Sequence, residues 1–321
     1  MTYQGYGMTI PFDGVPLHEH RDWIVELADL GYTDVWSSEA NGADGFTPLV
    51  LASVWAPSLR LGSAIVPSFT RGPATLAQCV ASLADAAPGR VAFGIGTSSN
   101  VIVERWNDIA FTEPYKKTRD TVRFLRTALT GEKVKEDYET FSVNGFKLGL
   151  VPEQQPKILV AALRAGMLRL AGKEGDGAIV NWLGADDVST VAPYVHEGGA
   201  DKEIVARIFV APTTDRDAVM ALGRYAIAAY LTVPVYAEFH RWLGREEMLQ
   251  PMWDLWAAGD RKAALAAIPD ELVDTLIVHG SPEACREHIA RYQANGITTP
   301  ALAILPFGVD QRQAIRDLAP H

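Results

Sequence analysis

Glycines followed by hydroxyl side chains are the most informative candidates for chemistry in this sequence. Segment 94–100 (GIGTSSN) follows an apolar run and places three consecutive hydroxyl residues after two glycines. Glycines at a strand end let a flat ligand approach the backbone, and hydroxyls supply neutral donors and acceptors. The segment begins like a dinucleotide fingerprint, but Ser99 stands where the third glycine belongs, so classical NAD binding is not indicated. The alternative is a glycine-rich strand exit whose Ser and Thr residues cap a helix.

Arg164 is the second candidate, because it stands between an apolar run and a helix-like segment that begins at Ala165. Free N–H groups at a helix N-terminus, together with a guanidinium, make an anion site. The alternative is a surface arginine at a turn between a strand and a helix.

Two further apolar runs end in polar or aromatic residues. Glu39 is a candidate general base or polar anchor, and the alternative is a surface carboxylate beside a glycine-rich loop. Asn181 and Trp182 could offer an amide and a ring face to a planar ligand. The alternative for Trp182 is a place in the core.

Composition and residue placement exclude several other classes of site. None of the seven histidines ends a predicted strand, and the pair His18 and His20 stands at a helix start, so no metal site is expected. The two cysteines, Cys79 and Cys285, indicate neither a disulfide framework nor a zinc site. No nucleophile elbow or P-loop occurs.

The charge balance bears on the partners of the chain. Lysine and arginine number 29 against 39 acidic residues, for a formal net charge of −10. Nucleic acid or an anionic membrane would need a basic surface, so neither is an expected partner. No signal peptide is visible and no apolar run approaches ~18 residues, which predicts a cytoplasmic protein.

Short apolar runs alternate with amphipathic segments along the chain. Eight runs are predicted as strands, namely 6–10, 33–37, 60–66, 91–95, 158–162, 177–180, 204–210 and 301–305. The count favours a single (β/α)8 TIM barrel domain over residues 1–321, with a doubly wound open sheet as the alternative. In such a barrel the candidate residues would meet at the C-terminal ends of the strands.

Two stretches interrupt the alternation. Residues 132–156 predict a hairpin insertion, with Asn144-Gly145 as its turn. A helical insertion after strand 7, at about residues 225–258, carries seven aromatic residues: Tyr225, Tyr230, Tyr236, Phe239, Trp242, Trp253 and Trp256. A long connection of this kind is a candidate lid or binding loop. The alternative is a satellite core.

Four motifs in order resemble one known family. They are 61–73 (LGSAIVPSFTRGP), 94–99 (GIGTSS), 158–164 (ILVAALR) and 170–177 (LAGKEGDG). The chain resembles the bacterial-luciferase-like superfamily, specifically its coenzyme F420-dependent oxidoreductases of the actinobacterial type, over roughly residues 5–185. The resemblance implies a barrel with the deazaflavin ring at the strand C-termini. It also implies a non-prolyl cis peptide in a bulge of the third strand, which by position is Ala64–Ile65.

The resemblance also implies which residues bind. The cofactor would contact Ser63, Ala64, Ile65, Gly96, Thr97, Ser98, Arg164, Ala165, Gly166, Met167 and Asn181, with the phosphate near Arg164. We expect Tyr230, Tyr236 and Trp182 to line the substrate pocket. Relatives commonly pair through early helices, and the apolar segment 46–51 predicts a homodimer.

One departure from the family pattern bears on the reaction. Sugar-phosphate dehydrogenases and some alcohol dehydrogenases of this family end the second strand with an Asp-His pair, whereas this chain has Glu39-Ala40. Alcohol oxidation by that route is therefore not expected. The prediction is hydride transfer between F420 and a small organic substrate, as reduction of an activated double bond or imine. The alternatives are an FMN-dependent monooxygenase and a non-catalytic F420-binding protein.

Overall fold

A closed barrel of parallel strands forms the centre of the molecule. The computed structural model describes residues 2–320. The strands are β1 (Gly7–Ile10), β2 (Asp34–Ser37), β3 (Arg60–Ser63), β4 (Val66–Pro67), β5 (Val91–Gly96), β6 (Val134–Asp137), β7 (Ser142–Phe146), β8 (Lys157–Ala161), β9 (Gly177–Asn181), β10 (Glu203–Ala211), β11 (Ile277–His279) and β12 (Thr299–Ile304). The barrel follows the order β1, β2, β3/β4, β5, β8, β9, β10 and β12, and β12 pairs with β1. This closure confirms the predicted barrel and excludes the open sheet.

Helices surround the barrel. They are α1 (Arg21–Asp29), α2 (Thr47–Trp55), α3 (Pro73–Ala86), α4 (Pro114–Ala128), α5 (Ala165–Glu174), α6 (Val188–His196), α7 (Arg216–Leu231), α8 (Pro234–Trp242), α9 (Glu246–Ala257), α10 (Arg261–Ala266), α11 (Asp270–Leu276), α12 (Pro282–Ala294) and α13 (Gln311–Asp317). Short helical turns also cover Leu17–Glu19 and Val101–Trp106. No single helix within residues 2–320 is long and apolar enough to cross a membrane; α7 and α8 reach that length and hydropathy only together, and they meet at 101°.

Strand β10 illustrates how the sequence builds the two layers. Ile204, Ala206 and Ile208 point outward and belong to the main core between barrel and helices. Val205 points inward and packs in the middle of the barrel. This period-two alternation gives each strand one face toward the helices and one toward the barrel interior.

An indole ring fills the middle of the barrel. Trp36 is fully buried there, and its inner cluster is completed by Ala92, Leu159, Ile179, Val205 and Ala301. The neighbouring strands carry Gly7 and Gly62 beside the ring. A Cβ built at Gly7 would lie 2.7 Å from Trp36 Cδ1, and one built at Gly62 would overlap the six-membered part of the ring. These two glycines therefore make the room for the indole.

The N-terminal end of the barrel is closed by a buried ion pair. Arg60 Nη1 and Nη2 lie 2.8 and 3.0 Å from the two carboxylate oxygens of Glu203. Tyr3 stacks on the Arg60 guanidinium at 4.1 Å and donates its hydroxyl to Asp34 at 2.9 Å. A buried pair with both partners saturated is costly to break from one side, which fixes this end of the barrel as structure.

The hairpin insertion is confirmed, but its predicted turn is wrong. Strands β6 and β7 form a separate antiparallel pair whose turn follows Tyr138, since the Tyr138 N–H donates to the Phe141 carbonyl. Gly145 lies inside β7 with φ +87° beside an irregularity in register, which is the geometry of a bulge. The rings of Tyr138 and Phe141 are tilted against each other with centroids 4.8 Å apart, and both meet Phe124 edge to face, so side-chain packing places the turn earlier in the chain.

The insertion after the seventh barrel strand, β10, is helical, as predicted, and comprises α7 to α11. Its seven aromatic residues divide between different environments. Tyr225 is 69% exposed, Phe239 is buried in the main core, and Trp253 donates its indole N–H to the Leu231 carbonyl at 2.8 Å. Tyr230 and Tyr236 pack beside the last residues of the barrel strands. Most of the insertion therefore forms a satellite core, which was the alternative to a lid or binding loop.

Candidate active site at the barrel mouth

The third barrel strand is interrupted where the site begins. Strand β3 pairs with β5 as far as Gly62, and pairing resumes from β4 at Val66. The Ser63 hydroxyl fills the interruption, since it accepts from the Gly94 N–H and donates to the Gly94 carbonyl, both at 2.9 Å. The peptide Ala64–Ile65 within this bulge is cis, which confirms the expectation.

The bulge presents backbone and an apolar side chain at the barrel mouth, the end formed by the C-terminal ends of the strands. Ala64 donates its N–H to the Ser37 carbonyl at 2.6 Å, and the Ile65 carbonyl accepts from Glu39 at 3.1 Å. Ile65 is half-buried on the inner cluster, beside Gly96, where a Cβ would lie 3.2 Å from its Cγ1. Ser63 is buried, so its hydroxyl supports the bulge.

Segment 97–100 leaves the fourth barrel strand, β5, with its hydroxyls partly exposed. Ser98 has φ +62°, an uncommon backbone conformation for a residue other than glycine. Thr97 Oγ1 donates to the Ser98 carbonyl at 3.2 Å, and Ser99 Oγ accepts from the Ile102 N–H at 3.3 Å. Ser99 therefore caps the helical turn that follows, while Thr97 and Ser98 remain at the mouth.

Helix α5 begins at the mouth with an uncapped N-terminus. Arg164 is its N-cap residue, with extended backbone, and no side chain caps the end. Arg164 itself is exposed, with Nη1 3.8 Å from Glu238 Oε2 on α8. Nothing lies within 4 Å of a Cβ built at Gly166. Within residues 2–320, the N–H groups of Ala165, Gly166 and Met167 donate to no acceptor, and Arg164 stands beside them, which suits an anionic group.

Glu39 is engaged by a cation. Its Oε1 and Oε2 accept from Arg71 Nη1 and Nη2 at 2.6 and 2.7 Å, and Oε2 also accepts from the Gly45 N–H at 2.9 Å. These bonds hold the pKa of the Arg71 guanidinium above its ordinary value. Both carboxylate oxygens of Glu39 are therefore occupied by hydrogen bonds from Arg71 and the loop. The geometry favours the polar-anchor alternative over the general base.

At the mouth, the end of the sixth barrel strand, β9, contacts the helical insertion. Asn181 Nδ2 donates to the hydroxyl of Tyr236 at 3.2 Å, and Tyr230 meets Tyr236 edge to face at 5.4 Å. Burial raises the pKa of Tyr236 to about 12. The phenol therefore stays protonated at neutral pH, and its own proton is not donated to any residue within 2–320.

Trp182 is placed differently from the sequence prediction. It has φ +53° and is 1% exposed, with its ring stacked on Phe209 at 4.1 Å and close to Tyr230 at 4.8 Å. A residue that lines a substrate pocket must expose part of its side chain. Trp182 is buried and instead packs against Tyr230, so it follows the core alternative. The His240 imidazole bonds to the Trp182 carbonyl, with Nε2 3.0 Å from the oxygen, and fastens α8 to this strand end.

Sequence reasoning assigned no role to two polar residues that face the barrel interior. Arg207 on β10 is half-buried, and its Nε has no hydrogen-bond partner among residues 2–320. Thr9 Oγ1 on β1 is likewise buried without a partner in the described chain. The period-two pattern of the strand could have predicted the position of Arg207. It alternates with Val205 and Phe209 and therefore lies on the same inward face. Unpaired buried polar groups are rare and call for a ligand or water.

These features together suit a flat ligand with an anionic tail. The bulge at Ile65 and the β5 exit offer backbone and small groups, Tyr236 and Asn181 offer polar contacts, and the α5 N-terminus offers anion binding. Within residues 2–320, no three His, Cys, Asp or Glu side chains are grouped to hold a metal ion.

Comparisons with known proteins agree with this architecture. Residues 3–299 match the family model described as luciferase-like monooxygenase. The chain is 26% identical to a 5,10-methylenetetrahydromethanopterin reductase of Archaeoglobus fulgidus, over 92% of each chain. It is 28% identical to an F420-dependent glucose-6-phosphate dehydrogenase of Rhodococcus hoagii, over 82% of this chain and 78% of that protein. A coenzyme F420-dependent tetrahydromethanopterin reductase from Methanopyrus kandleri has the same fold, with a TM-score of 0.80, 19% identity and coverage of 99% and 98%.

Proposed function

Because this chain is an oxidoreductase of the luciferase-like monooxygenase family, we propose that it transfers hydride between coenzyme F420 and a small organic acceptor. The observation that carries the proposal is the uncapped, open N-terminus of α5 beside Arg164, at the same end of the barrel as the Ala64–Ile65 bulge. A planar ring with a phosphate-bearing tail needs these two features together.

The donor set fits F420. Arg164 and the N–H groups of Ala165, Gly166 and Met167 would hold the phosphate, while Ala64, Ile65 and Gly96 would lie against the ring. Thr97, Ser98 and Asn181 would supply neutral hydrogen bonds. When bound in its reduced form, F420 supplies a hydride to the acceptor and has low reactivity toward oxygen.

The residues of the mouth favour reduction of the acceptor. Tyr236 holds a proton on Oη and receives a hydrogen bond from Asn181, which would stabilise the phenolate left after that proton is given away. Glu39 is bonded to Arg71 and has no free role in removing a proton from an alcohol. An activated double bond or imine, which needs a proton donor rather than a strong base, is therefore the proposed acceptor class.

Binding of the two cofactors tests the proposal. The full-length protein is titrated with F420 and, separately, with FMN while cofactor fluorescence is followed. We expect saturable F420 binding with much weaker FMN binding, followed by reduction of 2-cyclohexenone by reduced F420. Preference for FMN with oxygen consumption would favour the monooxygenase alternative, and F420 binding without turnover of any enone or imine would favour a binding protein.

We further propose that the enzyme is a homodimer that pairs through α2 and α3. Val50 and Val54 on α2 are 43% and 76% exposed, and Val50 borders an apolar groove with Phe46, Cys79 and Leu83. Exposed valines beside such a groove are typical of a surface covered by a partner.

A further inference from the structure

The side chain of Arg207 lies on the inward face of barrel strand β10. Val205 on the same strand packs in the inner cluster, and Arg207 follows two residues later, one level nearer the mouth. Its guanidinium carbon lies 5.0 Å from the centroid of the Phe209 ring, which stacks on Trp182. The aromatic face holds the guanidinium in place without neutralising it.

Arg207 has no counter-charge among residues 2–320. No carboxylate of that range lies within 4.0 Å of the guanidinium, and the side chain donates no hydrogen bond there. The contrast on the same strand is Glu203, which begins β10 and is matched to the buried Arg60 by two hydrogen bonds. A half-buried guanidinium without a counter-charge is costly, so its partner is expected to come from the ligand.

The neighbours of Arg207 in the sheet include a residue of the proposed site. Arg207 is paired in register with Asn181 on one side and Ala301 on the other. Asn181 donates to the Tyr236 hydroxyl, and Arg207 acts electrostatically on that phenol. Ala301 and the next inward residue of β12, Ala303, are small, so neither side chain fills the position beside Arg207.

We propose that Arg207 binds a carboxylate of the substrate, so that the acceptor is the anion of an unsaturated or imino acid. The inference rests on the proposed function and names its substrate class. The planar fork of a guanidinium matches the two oxygens of a carboxylate, and one carboxylate balances one cation. In the reaction one atom of the C=C or C=N bond gains a hydride and its neighbour gains a proton. The two electrons come from reduced F420, and the carboxylate is unchanged.

The test compares two probes that share the same enone but differ in charge, trans-4-oxo-2-pentenoate and its methyl ester, which is larger by one methyl group. Their affinities for the full-length protein are measured by calorimetry with and without F420, and their KM and kcat with reduced F420. We expect the wild type to prefer the acid at least tenfold. Arg207→Met should reduce that preference to within twofold while leaving the ester's KM and the Kd of F420 unchanged.

Two further variants control for loss of folding and for a general effect of charge removal. Arg207→Gln retains donors without charge and should lose most of the preference, so it replaces Arg207→Met if thermal unfolding shows that the methionine variant does not fold. Lys262→Met removes a charge from an exposed position on α10 and should keep the full preference.

The outcomes separate this inference from the proposed function. Equal affinity of the wild type for acid and ester, or a preference that survives in both Arg207 variants, overturns the inference. Loss of F420 affinity in those variants with the preference intact also overturns it, since Arg207 would then serve the cofactor. A preference that depends on Arg207 in a protein that fails to bind F420 would keep the anion site and reject the proposed hydride transfer with F420.

Discussion

Glu39 and Arg71 face each other in a two-pronged ion pair, with Oε1–Nη1 and Oε2–Nη2 distances of 2.6 and 2.7 Å. Arg71 also lies over the Phe46 ring at 5.1 Å. The pair joins the loop after the second barrel strand to the loop after the third, and both loops border the mouth. Their spacing therefore depends on this contact.

Replacing Glu39 should affect stability more than chemistry. In Glu39→Gln, Arg71 loses its charged partner, and we expect the free energy of unfolding to fall by about 1–3 kcal/mol. The pH profile of kcat should keep its shape, because Glu39 is not the proton carrier. Urea unfolding and a kcat profile measure the two effects, with Arg71→Met as the matched variant. A kcat that falls a hundredfold in Glu39→Gln while Arg71→Met stays active would restore the general-base hypothesis.

Arg164→Ala should weaken F420 binding. Loss of a charge-assisted hydrogen bond to the phosphate corresponds to about 1.5–3 kcal/mol, or at least a tenfold rise in Kd by fluorescence titration. Arg169→Ala is the control, since Arg169 is on the same helix but pairs with Glu197. Unchanged affinity in Arg164→Ala would remove this residue from the phosphate site.

Tyr230 and Tyr236 should set the range of acceptors. We expect Tyr230→Ala and Tyr236→Ala to change the KM for enones of different size while the Kd of F420 stays constant, because we propose that both rings line the substrate pocket. Tyr236→Phe, which keeps the ring, should lower kcat more than it changes KM. Tyr225→Phe, at an exposed position, is the control. Variants that lose cofactor binding or unfold early would show that the rings are core.

Buried His240 should make stability fall in mild acid. Burial, and then the charge of Arg245, lower the pKa of His240 from 6.5 to about 3. Between these values the unfolded chain binds a proton that the folded protein does not, so the free energy of unfolding decreases as pH falls from about 6.5 toward 3.

Urea unfolding at several pH values measures this slope. His240→Gln should be less stable at pH 7 but should lose less stability between pH 7 and pH 5. His18→Gln, whose ring is exposed, should follow the wild type. Identical slopes for wild type and His240→Gln would contradict the assignment.

A charge on α2 should separate the proposed dimer. Val54→Arg places a guanidinium in the exposed apolar surface and should give a monomer by light scattering at micromolar concentration, with F420 binding retained. Val151→Arg, at another exposed valine on the connection before β8, is the control and should remain a dimer. A monomeric wild type would refute the pairing.

The barrel could be predicted because each of its strands is marked by a local apolar run in the sequence. Each predicted strand overlaps an observed barrel strand, since an inward and an outward apolar face produce a continuous apolar run. The hairpin turn could not be located from the local sequence pattern. Tyr138 and Phe141 contact Phe124, which precedes the hairpin in the chain, and this packing outweighs the turn preference of Asn144-Gly145.

The site was predictable only in part. The cis peptide followed from resemblance, and the α5 N-terminus followed from a strand-to-helix boundary. The partner of Glu39 is 32 residues away, and nothing local pairs it with Arg71. Arg207 could not be assigned to the site from the sequence, because its place beside Asn181 depends on the register of β10 with β9.

Trp36 occupies the middle of the barrel because Gly7 and Gly62 leave room for it. The floor of the proposed site is then one side chain, whereas its rim is formed by loops and the insertion. We infer that ligand length and ligand identity can change independently in evolution. A smaller residue at position 36 is expected to admit a longer substrate, whereas a side chain added at position 62 would displace the ring.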